Sequence, residues 1–344
     1  MINKNINTSL LTILIVATIV VFSRNFYNEI LQKYLSNPDF FQIFFSDFYL
    51  IYAGSEILNQ GSNPYKEWLE IHNNPFFNPP IVFQFFKFIA NFEYSQIVKI
   101  WFFFLFLSYF CIPFILFKTF KINLKFFYIF LVCFGGISIS VFLTGNLSII
   151  LSAFFAISLF FLSKDKYHFF YLILSILSLI KFPYLIFFGI PFLVRGLKKE
   201  VFINTFFYLT FISLLYLISF YQNSELFISW INSLEFSKSI GDSGDFGRGL
   251  FRLFENYFFS GSYLNYIIYF LISGILFLFL ILLFKNSKIL KDTNLAIAFS
   301  IVALSIFLPR LKSYDVLITI PCLFFIIKNL DFKISKFINS SIKF

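Results

Sequence analysis

Of 344 residues, 59% are apolar and only 13% charged, about half the roughly 25% charged share of a water-soluble domain, which all but excludes a soluble fold. The net charge of +10 sits in short Lys/Arg runs between apolar stretches, an arrangement that orients a chain across a bilayer and implies no nucleic-acid partner. Sixty phenylalanines, with abundant Ile, Lys and Asn, read as AT-rich coding bias.

A helix of about 20 apolar residues spans the hydrocarbon core of a membrane. On that measure the sequence predicts crossings near 8–23, 97–117, 126–143, 147–163, 201–221, 263–284, 295–308 and 314–328. The first follows Lys4 and has no small-residue cleavage site before Arg24, so it reads as a retained anchor. Segment 80–92, PIVFQFFKFIANF, is too short to span and reads as an interfacial or re-entrant helix behind Pro79 and Pro80. Between 169 and 194 the apolar run carries Lys181 and Pro183 at its centre. A single crossing would put Arg195, Lys198 and Lys199 opposite Lys164 and Lys166, whereas two short crossings meeting at Lys181–Pro183 keep every basic loop on one side.

That side also holds Lys118, Lys121 and Lys125, then Lys285, Lys288 and Lys291, and finally Lys328, Lys333, Lys336 and Lys343. The opposite loops are acidic. Residues 24–79 carry six acids against three bases and residues 222–262 five against three. The sequence therefore predicts an all-α membrane protein, one transmembrane domain over 1–344. It has about 10 crossings, both termini inside, an outer loop 24–96 with juxtamembrane helices, and a second outer loop 222–262.

Within the first outer loop, Phe45, Phe48, Ile51, Tyr52, Ser55, Ile57 and Leu58 recur at helical spacing before Gly61, Asn63 and Pro64 end the pattern. Asp47 begins that helix. By the same topology Gly145–Asn146, Lys181–Pro183 and the tract Pro309–Asp315 reach the same face, and ionisable groups at membrane depth are functional candidates by default. One carboxylate with several cations on an apolar bundle suits a substrate with an anionic head and a lipid tail. Transfer of a sugar from a lipid phosphate needs a base for the acceptor hydroxyl, which Asp47 offers. It also needs positive charge at the phosphate leaving group, which Lys181, Arg310 and Lys312 offer. Tyr49, Tyr52, Tyr65, Trp68, Asn146 and Tyr314 are candidate sugar or acceptor contacts, although Tyr and Trp also populate membrane interfaces with no ligand.

The order of these motifs resembles glycosyltransferase family 87, membrane enzymes of the GT-C class. The resemblance rests on SDFYLIYAGSEILNQGSNPY with NPPIVFQFFKF, then LTGNLSIILSAFFAISLF, SLIKFPYLIFFGIPFLVRG and LPRLKSYDVLITIP. It implies a GT-C-like bundle, a polyprenyl-phosphate sugar donor (mannose being typical), a lipid or glycan acceptor, and inversion at the anomeric carbon, with the site on the extracytoplasmic side of the cell membrane. Two positions depart from the family: Gly145–Asn146 stands where Gly-Gln is common, and Arg310, Lys312 and Tyr314 occupy a motif that often holds a His. A transporter or flippase of a lipid-linked sugar or amphipathic anion is the rival reading, since broken helices occur there too.

No metal or cofactor is assigned. His72 and His168 fall on opposite sides, Asp242 and Asp245 in the glycine-rich stretch 241–249 form no fixed cage of oxygens, and that stretch lacks the ending of a nucleotide loop. Cys111, Cys133 and Cys322 lie in apolar segments without CxxC spacing and act as small hydrophobes.

Overall fold

A computed structural model describes residues 45–72, 75–121, 141–239, 263–287, 289–308, 317–327 and 329. Among these the chain is helical, with no strand. The helices are α1 (Ser46–Asn59), α2 (Pro64–His72), α3 (Pro80–Phe86), α4 (Tyr94–Phe120), α5 (Ser148–Ser163), α6 (Tyr167–Ile180), α7 (Ile190–Arg195), α8 (Lys199–Gln222), α9 (Ser224–Ser239), α10 (Tyr263–Asn286) and α11 (Thr293–Ile306). The expected anchor 8–23 and most of the expected span 126–143 lie outside the described residues.

Among the described residues three helices, α4, α8 and α10, are long and apolar enough to cross a membrane. The last is the most telling: its apolar window has a mean hydropathy of 3.0, yet only 11% of it is buried within the chain. Outward-facing Phe270, Leu271, Ile275, Leu278 and Phe279 would form an apolar patch that water does not tolerate, so lipid is the matching solvent. Helices α5, α6 and α11 are shorter, 16, 14 and 14 residues, and pack centrally. Their buried faces (Leu151, Phe155 and Leu159; Phe170 and Leu174; Leu295, Ile301 and Leu304) join one continuous core.

The run 169–194 breaks where its charge pattern requires. Helix α6 ends at Ile180, Lys181 adopts an extended conformation, and the chain returns through a 3-10 stretch, Phe182–Gly189, into α7. Pro183 and Pro191 stand in the first turns of the 3-10 stretch and of α7, where a missing backbone donor is tolerated. A 3-10 helix rises about 2.0 Å per residue, so the limb of eight 3-10 and six α residues spans ~25 Å against ~21 Å for α6. The two limbs pair along their length. Tyr171 packs on Phe188 at 5.2 Å between ring centroids, and an Arg195–Asp165 salt bridge of 2.6 Å closes the base. Lys181 is thus the tip of a hairpin, with Lys164, Lys166, Arg195, Lys198 and Lys199 gathered at its foot.

Segment 45–79 folds on itself. Gly61, at a φ of 85°, turns the chain after α1. Helix α2 is then held against α9: Lys66 pairs with Glu225 at 2.6 Å, Asn63 Nδ2 donates to Ser229 Oγ at 3.0 Å, and Trp230 Nε1 donates to the Phe77 carbonyl at 3.2 Å. Lys66 holds the Glu225 carboxyl below its ordinary range, so this ion pair persists until the solution is more acidic than that range. Residues 45–79 and 224–239, read from sequence as loops of one side, therefore share one surface. Segment 80–91 is a short helix followed by a 3-10 turn, Lys87–Asn91.

Candidate functional site

The site grows from one turn. A short helical segment at 141–144 ends in Gly145, whose φ is 66°, with Gly145 N donating to the Phe142 carbonyl and Asn146 N to the Val141 carbonyl. These paired bonds are the Schellman closure that a left-handed residue permits. Trp101 Nε1, from α4, donates to the Gly145 carbonyl at 2.8 Å, and Phe48, from α1, stacks on the Trp101 ring at 4.4 Å. A Cβ at Gly145 would lie 2.3 Å from Phe45 Cδ1, so the turn and the start of α1 touch with no room for a side chain.

Asn146 comes next and has both ends of its amide engaged. Its Oδ1 accepts from the Ser148 backbone N–H at 2.8 Å, which fixes Nδ2 as the outward end. That Nδ2 donates to Asp47 Oδ2 at 2.7 Å. Ser148 is buried and opens α5, and its hydroxyl accepts from Lys181 Nζ at 3.3 Å. A carboxylate from α1 and an ammonium from the hairpin tip thus stand on either side of a four-residue turn, both half-buried.

Beside Lys181 lies a small, partly open cleft. Phe155, Phe187, Leu308 and Ile318 form its apolar wall, and Ser152, Lys181 and Thr319 supply polar groups. Thr319 and Ser305 share a 2.7 Å hydrogen bond. Leu308 and Ile318 flank the tract that contains Arg310, Lys312 and Tyr314; those three lie outside the described residues.

Of the residues expected from sequence, the structure brings Asp47, Asn146 and Lys181 together. Tyr49 sits half-buried on α1, edge-on to Trp68 and Tyr94. Tyr52 and Tyr65 have partners within the chain. The Tyr52 hydroxyl donates to the Phe92 carbonyl at 2.8 Å and that of Tyr65 to the Asn78 carbonyl at 2.6 Å, so both phenols tie their helices to the segments that follow. Tyr65 is buried in a second, smaller core with Trp68, Phe76, Phe83 and Leu226. Burial pushes both hydroxyls above the ordinary phenol range, and they remain protonated donors. Trp101 and Ser148 were not expected from sequence; a hydroxyl at a helix start and a lone Trp in an apolar run carry no distinguishing local signal.

No group of three or more metal-ligating side chains is present among the described residues. Chemically, the arrangement offers a proton acceptor and a cation linked through Asn146 and Ser148, the cation lining an apolar cleft. No family model matches the chain, and no curated protein or solved structure does either.

Proposed function

We propose that the chain is an integral-membrane, inverting glycosyltransferase of GT-C type that transfers a hexose, mannose in the first instance, from a polyprenyl phosphate to an acceptor hydroxyl at the extracytoplasmic face. The observation that carries this reading is the Asp47–Asn146–Ser148–Lys181 line, which links a carboxylate to an ammonium that lines an apolar cleft. Asp47 takes the proton of the acceptor hydroxyl as its oxygen attacks the anomeric carbon. The bond from that carbon to the phosphate oxygen breaks, its electron pair stays on the phosphate, and Lys181 balances the charge that develops there. The leaving group is stable as an anion, so no second carboxylic acid is needed, unlike the paired carboxylates of glycosidases. The cleft wall of Phe155, Phe187 and Leu308 suits the first isoprene units of the donor, and Arg310 and Lys312 are proposed as further phosphate contacts on sequence grounds. The topology that goes with this reading has ten crossings, and the hairpin closed by Asp165 and Arg195 supports it.

Purified protein supplied with labelled polyprenyl-phosphate mannose and a mixture of acceptors should release free polyprenyl phosphate. Asp47→Asn keeps the size of the side chain and removes the base, so the variant should fold with an unchanged thermal midpoint and lose at least a hundredfold in transfer rate. Full transfer by that variant would refute the assignment. Vectorial movement of the intact donor in proteoliposomes, with no cleavage, would select the transporter instead.

A further inference from the structure

We infer that Asn146 is a positioning residue for the base; the inference rests on the proposed transfer reaction. The amide has two fixed partners. Oδ1 is held by the Ser148 N–H, and the turn that carries it is clamped by Trp101 on the Gly145 carbonyl and by Phe45 against Gly145 Cα. With Oδ1 committed, the amino end of the amide faces away from the turn, and one of its two N–H groups ends on Asp47 Oδ2. A group competing for that N–H would have to displace a charge-assisted hydrogen bond of 2.7 Å, about twice as strong as a neutral one. The bond occupies a single carboxylate oxygen, so Oδ1 of Asp47 is the atom that meets the acceptor hydroxyl. Asn146 thereby sets which oxygen acts as base and holds the carboxylate in place.

Ser148 extends this role to the cation. Its backbone orients Asn146 while its hydroxyl receives Lys181, so one turn fixes the separation of base and phosphate-binding ammonium. Among the described residues, titratable groups brought against this turn from neighbouring elements include Lys181 at the hairpin tip and, across the Phe48 ring, Tyr94 on α4.

Asn146→Asp separates the two functions of the amide. The new carboxylate still accepts from the Ser148 N–H, so the turn persists, but it replaces the donor to Asp47 with a second acid. Two carboxylates at this distance cannot both ionise readily and share a proton. Three proteins are compared, wild type, Asn146→Asp and Asn146→Ala, in steady-state transfer from polyprenyl-phosphate mannose across pH 5.5 to 9, together with their thermal midpoints. Both variants should lose about tenfold or more in kcat at neutral pH, with KM for donor and acceptor within about twofold of wild type. The deficit of Asn146→Asp should shrink as pH rises and the shared proton leaves, whereas that of Asn146→Ala should not. An unchanged rate, a raised KM at unchanged kcat, or an Asn146→Asp deficit equal at every pH overturns the inference while leaving the transfer reading intact. Absence of transfer by the wild type overturns the reading, and the inference with it.

Discussion

At the scale of single residues, what a hydroxyl is bonded to decides whether it is available to a substrate. Tyr65 and Tyr49 look alike in the sequence, two aromatic residues on outer-loop helices, yet one is enclosed and the other half-exposed beside α4. Tyr65→Phe removes the donor to the Asn78 carbonyl and leaves that oxygen without its partner, a loss of about 1–3 kcal/mol. The expected outcome is a lower thermal midpoint with the KM for donor unchanged. A raised KM at unchanged stability would make Tyr65 a ligand contact. Asp47 and Lys181 were legible from sequence because an ionisable group in an apolar setting stands out by type alone. The partners of Asp47 were not: Asn146 lies 99 positions further on, and the bond depends on how two turns dock.

At the scale of elements, punctuation residues announced the breaks and packing decided the rest. The end of α1 near Gly61, the entry of α3 behind Pro79 and the tip at Lys181–Pro183 follow from backbone chemistry that any reader of the sequence can apply. The 3-10 character of the return limb was not announced, since periodicity over eight apolar residues does not separate the two helix types. The turn at Gly145 joins both kinds of information. Its left-handed backbone disfavours any side chain by about 1–2 kcal/mol, and a methyl there meets the Phe45 ring at 2.3 Å. Phe45 is followed by Ser46 and Asp47, so relief of the clash moves the start of α1. Gly145→Ala is therefore expected to cost about 2–4 kcal/mol, strain and overpacking together, and to depress transfer beyond what the lost stability explains. Thermal midpoints and turnover per folded molecule check this; a variant as stable and active as wild type would show that the turn and α1 are not coupled.

At the scale of the whole molecule, charge sorts the ends of the helices. One end collects Asp47, Asn146 and Lys181 with the acidic helices α2 and α9. The other collects Lys118 and Lys121 at the end of α4, Lys164 and Lys166 after α5, and Arg195, Lys198 and Lys199 at the hairpin foot. On the proposed topology, the excess of Lys and Arg in cytoplasmic loops would orient such a molecule with its basic end in the cytosol. The geometry makes this testable with residues whose side chains are exposed. Ser46 and Phe182 mark the site end, and Leu197 marks the foot. In a background with Cys111, Cys133 and Cys322 replaced by Ala, single Ser46→Cys and Phe182→Cys variants should react with a membrane-impermeant maleimide in intact cells. Leu197→Cys should react only after permeabilisation. Because Lys181 and Arg195 are opposite ends of one hairpin, labelling of Phe182→Cys and Leu197→Cys from the same side would mean that the hairpin does not cross the membrane, and the proposed site would then have no separate face on which to meet its acceptor.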